Sequence, residues 1–152
     1  MAEKSEQERL AKARECVCFN LRKTARAITQ VYDRALKPSG LRATQFSILV
    51  VVSNCRSLTI SRLAQQLVMD RTTLTRNLRP LQRRGLLQVT RGEDRRARFV
   101  SLTQEGERNL LRALPLWEEA QRHFEKGLGT MDFYLMRSAL SKTVELSNKS
   151  AF

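Results

Sequence analysis

Apolar residues recur along this chain with a helical period over most of its length. From about Leu10 to Leu36, the side chains Cys18, Leu21, Ala25, Ile28, Tyr32 and Ala35 return at alternating steps of three and four. That spacing makes one narrow face of a helix. Pro38 and Gly40 end the pattern. Arg42 to Asn54 is apolar on every side around Phe46 and the run Ile48–Val52. Periodicity leaves a buried helix and a buried strand open there, and the neighbours favour a helix. Thr59 is placed to cap a short helix from Ile60 to Leu67, with Ile60, Leu63, Ala64 and Leu67 on one face. Val68-Met69-Asp70 reads as a tight turn. Asp70 then caps a second helix, Arg71 to Arg84, buried along Leu74, Leu78 and Leu81, with Gly85 where a terminal glycine belongs. Leu86 to Arg91 and Arg98 to Leu102 read as two short strands around a turn at Gly92–Ala97. Thr103 starts a long helix with the stripe Leu110, Leu114, Trp117, Gln121, Phe124 and Leu128. Gly129 and Thr130 punctuate it, and Phe133, Met136, Leu140 and Val144 carry a last helix.

The expected fold class is mainly α with a small β-hairpin wing (α+β). It is a winged helix-turn-helix at 42–103, flanked by N- and C-terminal dimerisation helices at 10–37 and 104–152, in a single domain 10–152. Residues 1–9 are expected as a flexible polar tail. At 152 residues the chain fits one domain with a dimerisation arm. Its longest apolar run is the five residues Ile48–Val52, whereas a membrane span needs roughly 20. The first residues lack the apolar core of a signal peptide. These features predict a cytoplasmic chain with reduced thiols and no membrane partner.

Charge narrows the partner. Lys plus Arg is 28 against 15 acids, a formal net charge of +13, and 21 of the bases are Arg. Between Arg56 and Arg98 there are 11 Arg, no Lys and only Asp70, Glu93 and Asp94 as acids. A basic balance concentrated on one segment points to a polyanion. A merely solubilising charge is the bland alternative.

The elements and the charge coincide. Arg71, Thr72, Thr73, Thr75 and Arg76 lie off the leucine stripe near the start of the second helix. Exposed N–H groups there favour phosphate, and the helix fits a major groove. Arg79, Arg83 and Arg84 extend the basic surface. At the hairpin, Arg95, Arg96 and Arg98 crowd like charges into a tight turn, as expected of arginines that enter a minor groove. Asp94 is placed to hold one guanidinium. Pro80 removes a backbone bond inside the second helix and Pro115 one inside the long helix, so each is expected to kink or loosen its helix.

Here the chain resembles the MarR family of bacterial transcriptional regulators. The segment Asp94-Arg95-Arg96-Ala97-Arg98-Phe99-Val100-Ser101-Leu102-Thr103 resembles that family's wing signature. Asp70–Leu78 and Leu81–Leu86 resemble its recognition helix and exit. The resemblance implies that Arg96 is the minor-groove arginine, supported by Asp94, and that the protein is an obligate homodimer. Independently, the first and long helices carry apolar stripes that one small winged helix cannot bury. A two-fold dimer covers them and sets two recognition helices about 34 Å apart, matching a palindromic operator on double-stranded DNA.

For an input, three cysteines stand out. Cys16 and Cys18, taken on one helix, point about 200° apart and cannot chelate one metal ion. With a single His123, a structural metal site is not expected, and no cofactor is called for. Cys18 to Tyr32 resembles the sensor region of organic-hydroperoxide regulators within the same family. That implies Cys18 as a reactive thiol and Tyr32 as one of two tyrosines around it across the dimer, with Ala43 in place of the second. Cys16 would be a second thiol. The leading expectation is a repressor released from its operator by a small-molecule effector, anionic and aromatic or lipophilic, bound near Arg22, Arg26 and Trp117, with cysteines that only pack; a thiol-based sensor using Cys18 is the alternative. An effector-independent architectural DNA-binding protein is a remote third. No catalytic constellation is present, so an enzyme is not expected.

Overall fold

The structure, a computed structural model, describes residues 2–92 and 97–149. In chain order the helices are α1 (Ala2–Ala13), α2 (Val17–Leu36), α3 (Ala43–Cys55), α4 (Ile60–Gln66), α5 (Arg71–Arg83), α6 (Gln104–Leu128) and α7 (Thr130–Lys149). Strands β1 (Ser57–Thr59), β2 (Leu87–Arg91) and β3 (Arg98–Leu102) form an antiparallel sheet in the order β1-β3-β2. Val100 stands at its centre, opposite Leu58 on one side and Val89 on the other.

The first helix differs from expectation. Residues 2–9, expected as a tail, are part of α1, because Ala, Glu, Gln, Lys and Arg are strong helix formers even without an apolar face. The helix also does not run unbroken from Leu10 to Leu36. It tightens over Arg14–Cys16, and Cys16 takes an extended conformation with ψ 125°. The Asn20 side-chain amide donates to the Arg14 and Cys16 carbonyls, both at 3.0 Å. It thereby ties the Arg14 carbonyl to the start of α2, where the Cys16 carbonyl also accepts from the Asn20 N–H at 3.0 Å.

The ambiguous apolar segment is the helix α3, with Phe46, Ile48, Leu49 and Val52 buried. Its start is held from outside: the Asp33 carboxylate accepts from the Ala43 N–H at 2.7 Å. β1 has no counterpart in the expected elements, because three residues are too few to show a period of two. Helices α5 and α6 continue through Pro80 and Pro115. Each proline leaves one carbonyl, that of Arg76 and of Leu111, without its usual donor.

Leu36, Ile48, Leu49, Val52, Leu63, Leu74, Leu78, Leu81 and Val100 are fully buried in one core. The long helix joins that core at the corner between α5 and β2. Gly85, at φ +68°, ends α5. The Thr103 hydroxyl donates to the Gly85 carbonyl at 2.5 Å, and the Thr103 N–H to the Leu86 carbonyl at 3.2 Å. Gly106 follows one turn later, so close that a Cβ built on it lies 2.0 Å from the Leu86 oxygen. Among the described residues α7 keeps only Phe133 buried; Met131, Tyr134, Leu135, Leu140, Val144 and Leu146 are exposed on a single chain.

Two glycines of α6 therefore behave oppositely. Gly106→Ala sets a methyl against backbone that cannot yield, and is expected to cost about 3 kcal/mol or more in urea unfolding. Gly127→Ala meets nothing within 4 Å and should stabilise by up to about 1 kcal/mol. A neutral Gly106→Ala would contradict the close approach.

Candidate nucleic-acid interface

The reading head is built from its caps outward. Thr59 Oγ1 accepts from the Arg62 N–H at 3.2 Å and starts α4. Val68 then turns the chain at φ +51°, a left-handed conformation that costs a β-branched residue about 1–2 kcal/mol. Asp70 caps α5 with both oxygens: Oδ1 accepts from the Thr73 N–H at 2.8 Å and Oδ2 from the Thr73 hydroxyl at 2.6 Å. The hydroxyl bond first, then the backbone bond, holds the Asp70 carboxyl below its ordinary pKa. The Thr73 hydroxyl thus faces the cap. Thr75 Oγ1 donates back to the Arg71 carbonyl at 2.7 Å, and the Asn77 amide to the Thr73 carbonyl at 2.9 Å.

With Leu74, Leu78 and Leu81 turned inward, the opposite side of α5 is basic. Arg71, Thr72, Thr75, Arg76 and Arg79 line one shallow groove of about 330 Å³. Arg71, Thr75 and Arg79 also line a neighbouring groove with Gln82, Val89 and Arg98, which joins α5 to the sheet. Among the described residues no carboxylate forms an ion pair with any of these arginines. Gln82 and Val89 were not legible as groove residues, because the sheet brings them there. In the wing, Gly92 N–H donates to the Ala97 carbonyl at 3.0 Å. Asp94, Arg95 and Arg96 lie outside the described residues.

Arg83 is exposed at the end of α5. Arg84 is not part of the same surface. Its guanidinium donates to the Gly40 carbonyl at 2.6 Å and the Ser39 carbonyl at 3.3 Å. Gly40, at φ +70°, leaves it room: a Cβ there lies 3.0 Å from Arg84 Nη2. Arg84 is tied to the end of α2, a tertiary contact that sequence spacing does not reveal.

The expected sensor residues are spread out. Cys16, Cys18 and Cys55 are exposed. Cys16 lies outside α2 and Cys18 in its first turn, so the two thiols are not fixed on opposed faces of one helix. Tyr32 lies fourteen positions beyond Cys18, about 21 Å along α2. Its hydroxyl bonds to Gln121 Oε1 and its ring stacks on Phe124 at 5.8 Å. Burial raises the Tyr32 pKa, and the nearby Arg137 charge opposes that. Tyr32 also borders an apolar cleft of about 480 Å³ with Ile28, Phe46, Val50 and Trp117. Trp117 stacks on Phe46 at 5.9 Å. Arg22 and Arg26 are exposed and do not line this cleft. They fall about 120° and 160° round α2 from Ile28. Among the described residues no group of three or more His, Cys, Asp and Glu gathers as for a metal, and no helix is long and apolar enough to cross a membrane.

Residues 41–97 match the model of the MarR family. The chain superimposes on the transcriptional regulator MosR of M. tuberculosis, solved in complex with DNA, with a TM-score of 0.80 and 40% identity. That alignment covers 88% of this chain and 96% of MosR. The chain belongs to the MarR family. It is a DNA-binding transcriptional regulator with the winged-helix fold of that family. A MarR variant from E. coli complexed with operator DNA shares the fold at a TM-score of 0.77 and 21% identity, over 86% of this chain and 96% of that one. Among curated sequences, the organic hydroperoxide resistance transcriptional regulator of Bacillus subtilis (strain 168) is 31% identical over 91 residues, 59% of this chain. Such matches span a little under two thirds of the relatives' own lengths, 64% and 62% for two from that organism.

The cap of this regulator's α5 carries a pH signature. A carboxyl with a depressed folded-state pKa stabilises above its unfolded value, ordinarily about 4, and that stability is lost as pH falls through the folded value. The melting temperature of the wild type should therefore drop more steeply below about pH 4 than that of Asp70→Asn, whose amide caps without titrating. Parallel acid profiles would mean that the Asp70–Thr73 bonds contribute nothing.

Proposed function

We propose that this regulator is a homodimeric, sequence-specific repressor that grips a palindromic operator with α5 and the wing. The observation that carries this reading is the groove of Arg71, Thr72, Thr75, Arg76 and Arg79, without acidic partners among the described residues. It opens at the capped start of a helix, where free N–H groups add to the attraction for phosphate. DNA in the MosR complex supports it, as does the exposed apolar row of α7, which suits a two-fold partner. Arg96 and Asp94 keep the wing roles that the resemblance implies. Arg84 acts as a structural tie.

For the input we favour thiol oxidation. Cys16 and Cys18 are both exposed, Cys16 in the break between α1 and α2 and Cys18 in the first turn after it, and the Bacillus subtilis relative is named for organic hydroperoxide resistance. The Cys18 thiolate attacks the peroxide oxygen, releasing an alcohol and leaving a sulfenic acid. The Cys16 thiol then displaces water and closes a disulfide, which a reducing thiol reopens. A second reading rests on the apolar cleft beside Tyr32 and Trp117, which suits an apolar or aromatic effector rather than an anion held by Arg22 or Arg26.

Fluorescence anisotropy on DNA from upstream of its own gene tests both. Arg76→Ala and Arg79→Ala should each weaken binding about tenfold or more and flatten the salt dependence, and Arg96→Ala should do so with the dimer intact. Arg84→Ala should act mainly on stability. An organic hydroperoxide should release the DNA, added thiol should restore it, and Cys18→Ser should not respond. Release that survives in Cys18→Ser and Cys16→Ser would overturn the thiol reading. Full affinity in Arg76→Ala, Arg79→Ala and Arg96→Ala alike would overturn the interface.

A further inference from the structure

The polar side chains of α5 are not equally free to read a base. The Asn77 amide donates to the Thr73 carbonyl and the Thr73 hydroxyl to Asp70, so each is committed to its own helix. The Thr75 hydroxyl donates to the Arg71 carbonyl at 2.7 Å, which uses its one proton. Thr73 lines neither groove of the reading head. Thr75 is exposed and lines both, the one with Thr72 and Arg76 and the one with Gln82 and Arg98.

A helical threonine whose hydroxyl reaches back to the preceding turn has its methyl group directed away from that turn. At position 75 that methyl stands between two arginines. Arg71 and Arg79 lie four residues before and after it, one turn to either side on the same face. A guanidinium donates hydrogen bonds and accepts none. The face thus offers an apolar spot flanked by donors, and no carboxylate lines either groove among the described residues. In the major groove thymine alone presents a methyl group, with the O4 acceptor beside it. Guanine presents acceptors without a methyl, and adenine and cytosine present amino groups that call for an acceptor.

We infer that Thr75 is a specificity residue for thymine. Its methyl packs on the C5-methyl of one thymine in each half-site, and the neighbouring arginines serve the acceptors around it. The inference rests on the reading of α5 as the helix that grips the operator. The Thr75 oxygen keeps its lone pairs, so the rival contact is one in which it accepts from an adenine or cytosine amino group.

The test replaces single thymines by deoxyuridine, which lacks only the C5-methyl, in DNA from upstream of the protein's own gene. Fluorescence anisotropy with the full chain should find a thymine in each half-site whose replacement weakens binding about fourfold. Thr75→Ser keeps the hydroxyl bond and removes the methyl. It should bind the thymine and deoxyuridine duplexes alike, at the level of the wild type on deoxyuridine. Thr75→Val keeps a methyl without the oxygen and should retain the preference for thymine. The position is exposed, so both variants should melt as the wild type does. The inference is overturned if no single replacement matters, or if Thr75→Ser keeps the preference. It is also overturned if Thr75→Val loses the preference, which would assign the contact to the oxygen. Equally tight binding to every duplex sinks the thymine reading alone, whereas no binding to any of them sinks the interface reading with it.

Discussion

The close approach of α6 to the corner between α5 and β2 is the constraint on which the rest depends. Three residues do it: Gly85 ends α5 in a left-handed turn, Thr103 bonds both of its neighbouring carbonyls, and Gly106 omits the side chain that would collide with Leu86. The same few atoms therefore end one helix, start a strand and seat a second helix. Arg84 extends the junction by holding the Ser39 and Gly40 carbonyls, so that the end of α2 is fastened to it as well. Little room remains for α5 to move independently of α2 and α6.

The basic face of α5 is poorly arranged for stability. Arg71 and Arg76 stand in the first turns, where the helix dipole opposes cations, and like charges repeat at short spacing. Asp70 offsets part of this by capping and by its charge, and the leucine stripe supplies the remainder through burial. Val68 adds strain at the entry to the helix. A surface that works against its own helix is the kind that a polyanion relieves, which agrees with DNA-bound relatives of the same fold.

The reading head was legible in the sequence because its determinants are local. Thr59 and Asp70 cap within three residues, and Leu74, Leu78 and Leu81 repeat within two turns. Elements made by distant partners were not legible. The three-residue strand β1 exists because β3 pairs with it, and the break between α1 and α2 is held by one side-chain amide. The candidate site divides the same way. Arg71, Arg76 and Arg79 share a helix face that spacing predicts. Adjacency groups Arg84 with Arg83, and a contact 44 residues away parts them. Arg22 and Arg26 share α2 with Ile28 and Tyr32, but the packing of α2 against α3 and α6 sets Ile28 and Tyr32 at the cleft.

These contacts also limit how any input reaches DNA. Within one chain, Cys18 lies at the start of α2 and Leu36 at its buried end, about 27 Å away along a continuous helix. A change at the thiols would therefore have to shift or rotate α2 as a body, and Arg84 and the Leu36 packing would pass that shift to the exit of α5. The apolar cleft borders the same helix at Ile28 and Tyr32. Oxidant and apolar effector are different chemistries, but each would bias the same rigid body. Their effects on DNA affinity should then be coupled through one equilibrium rather than summed as independent switches.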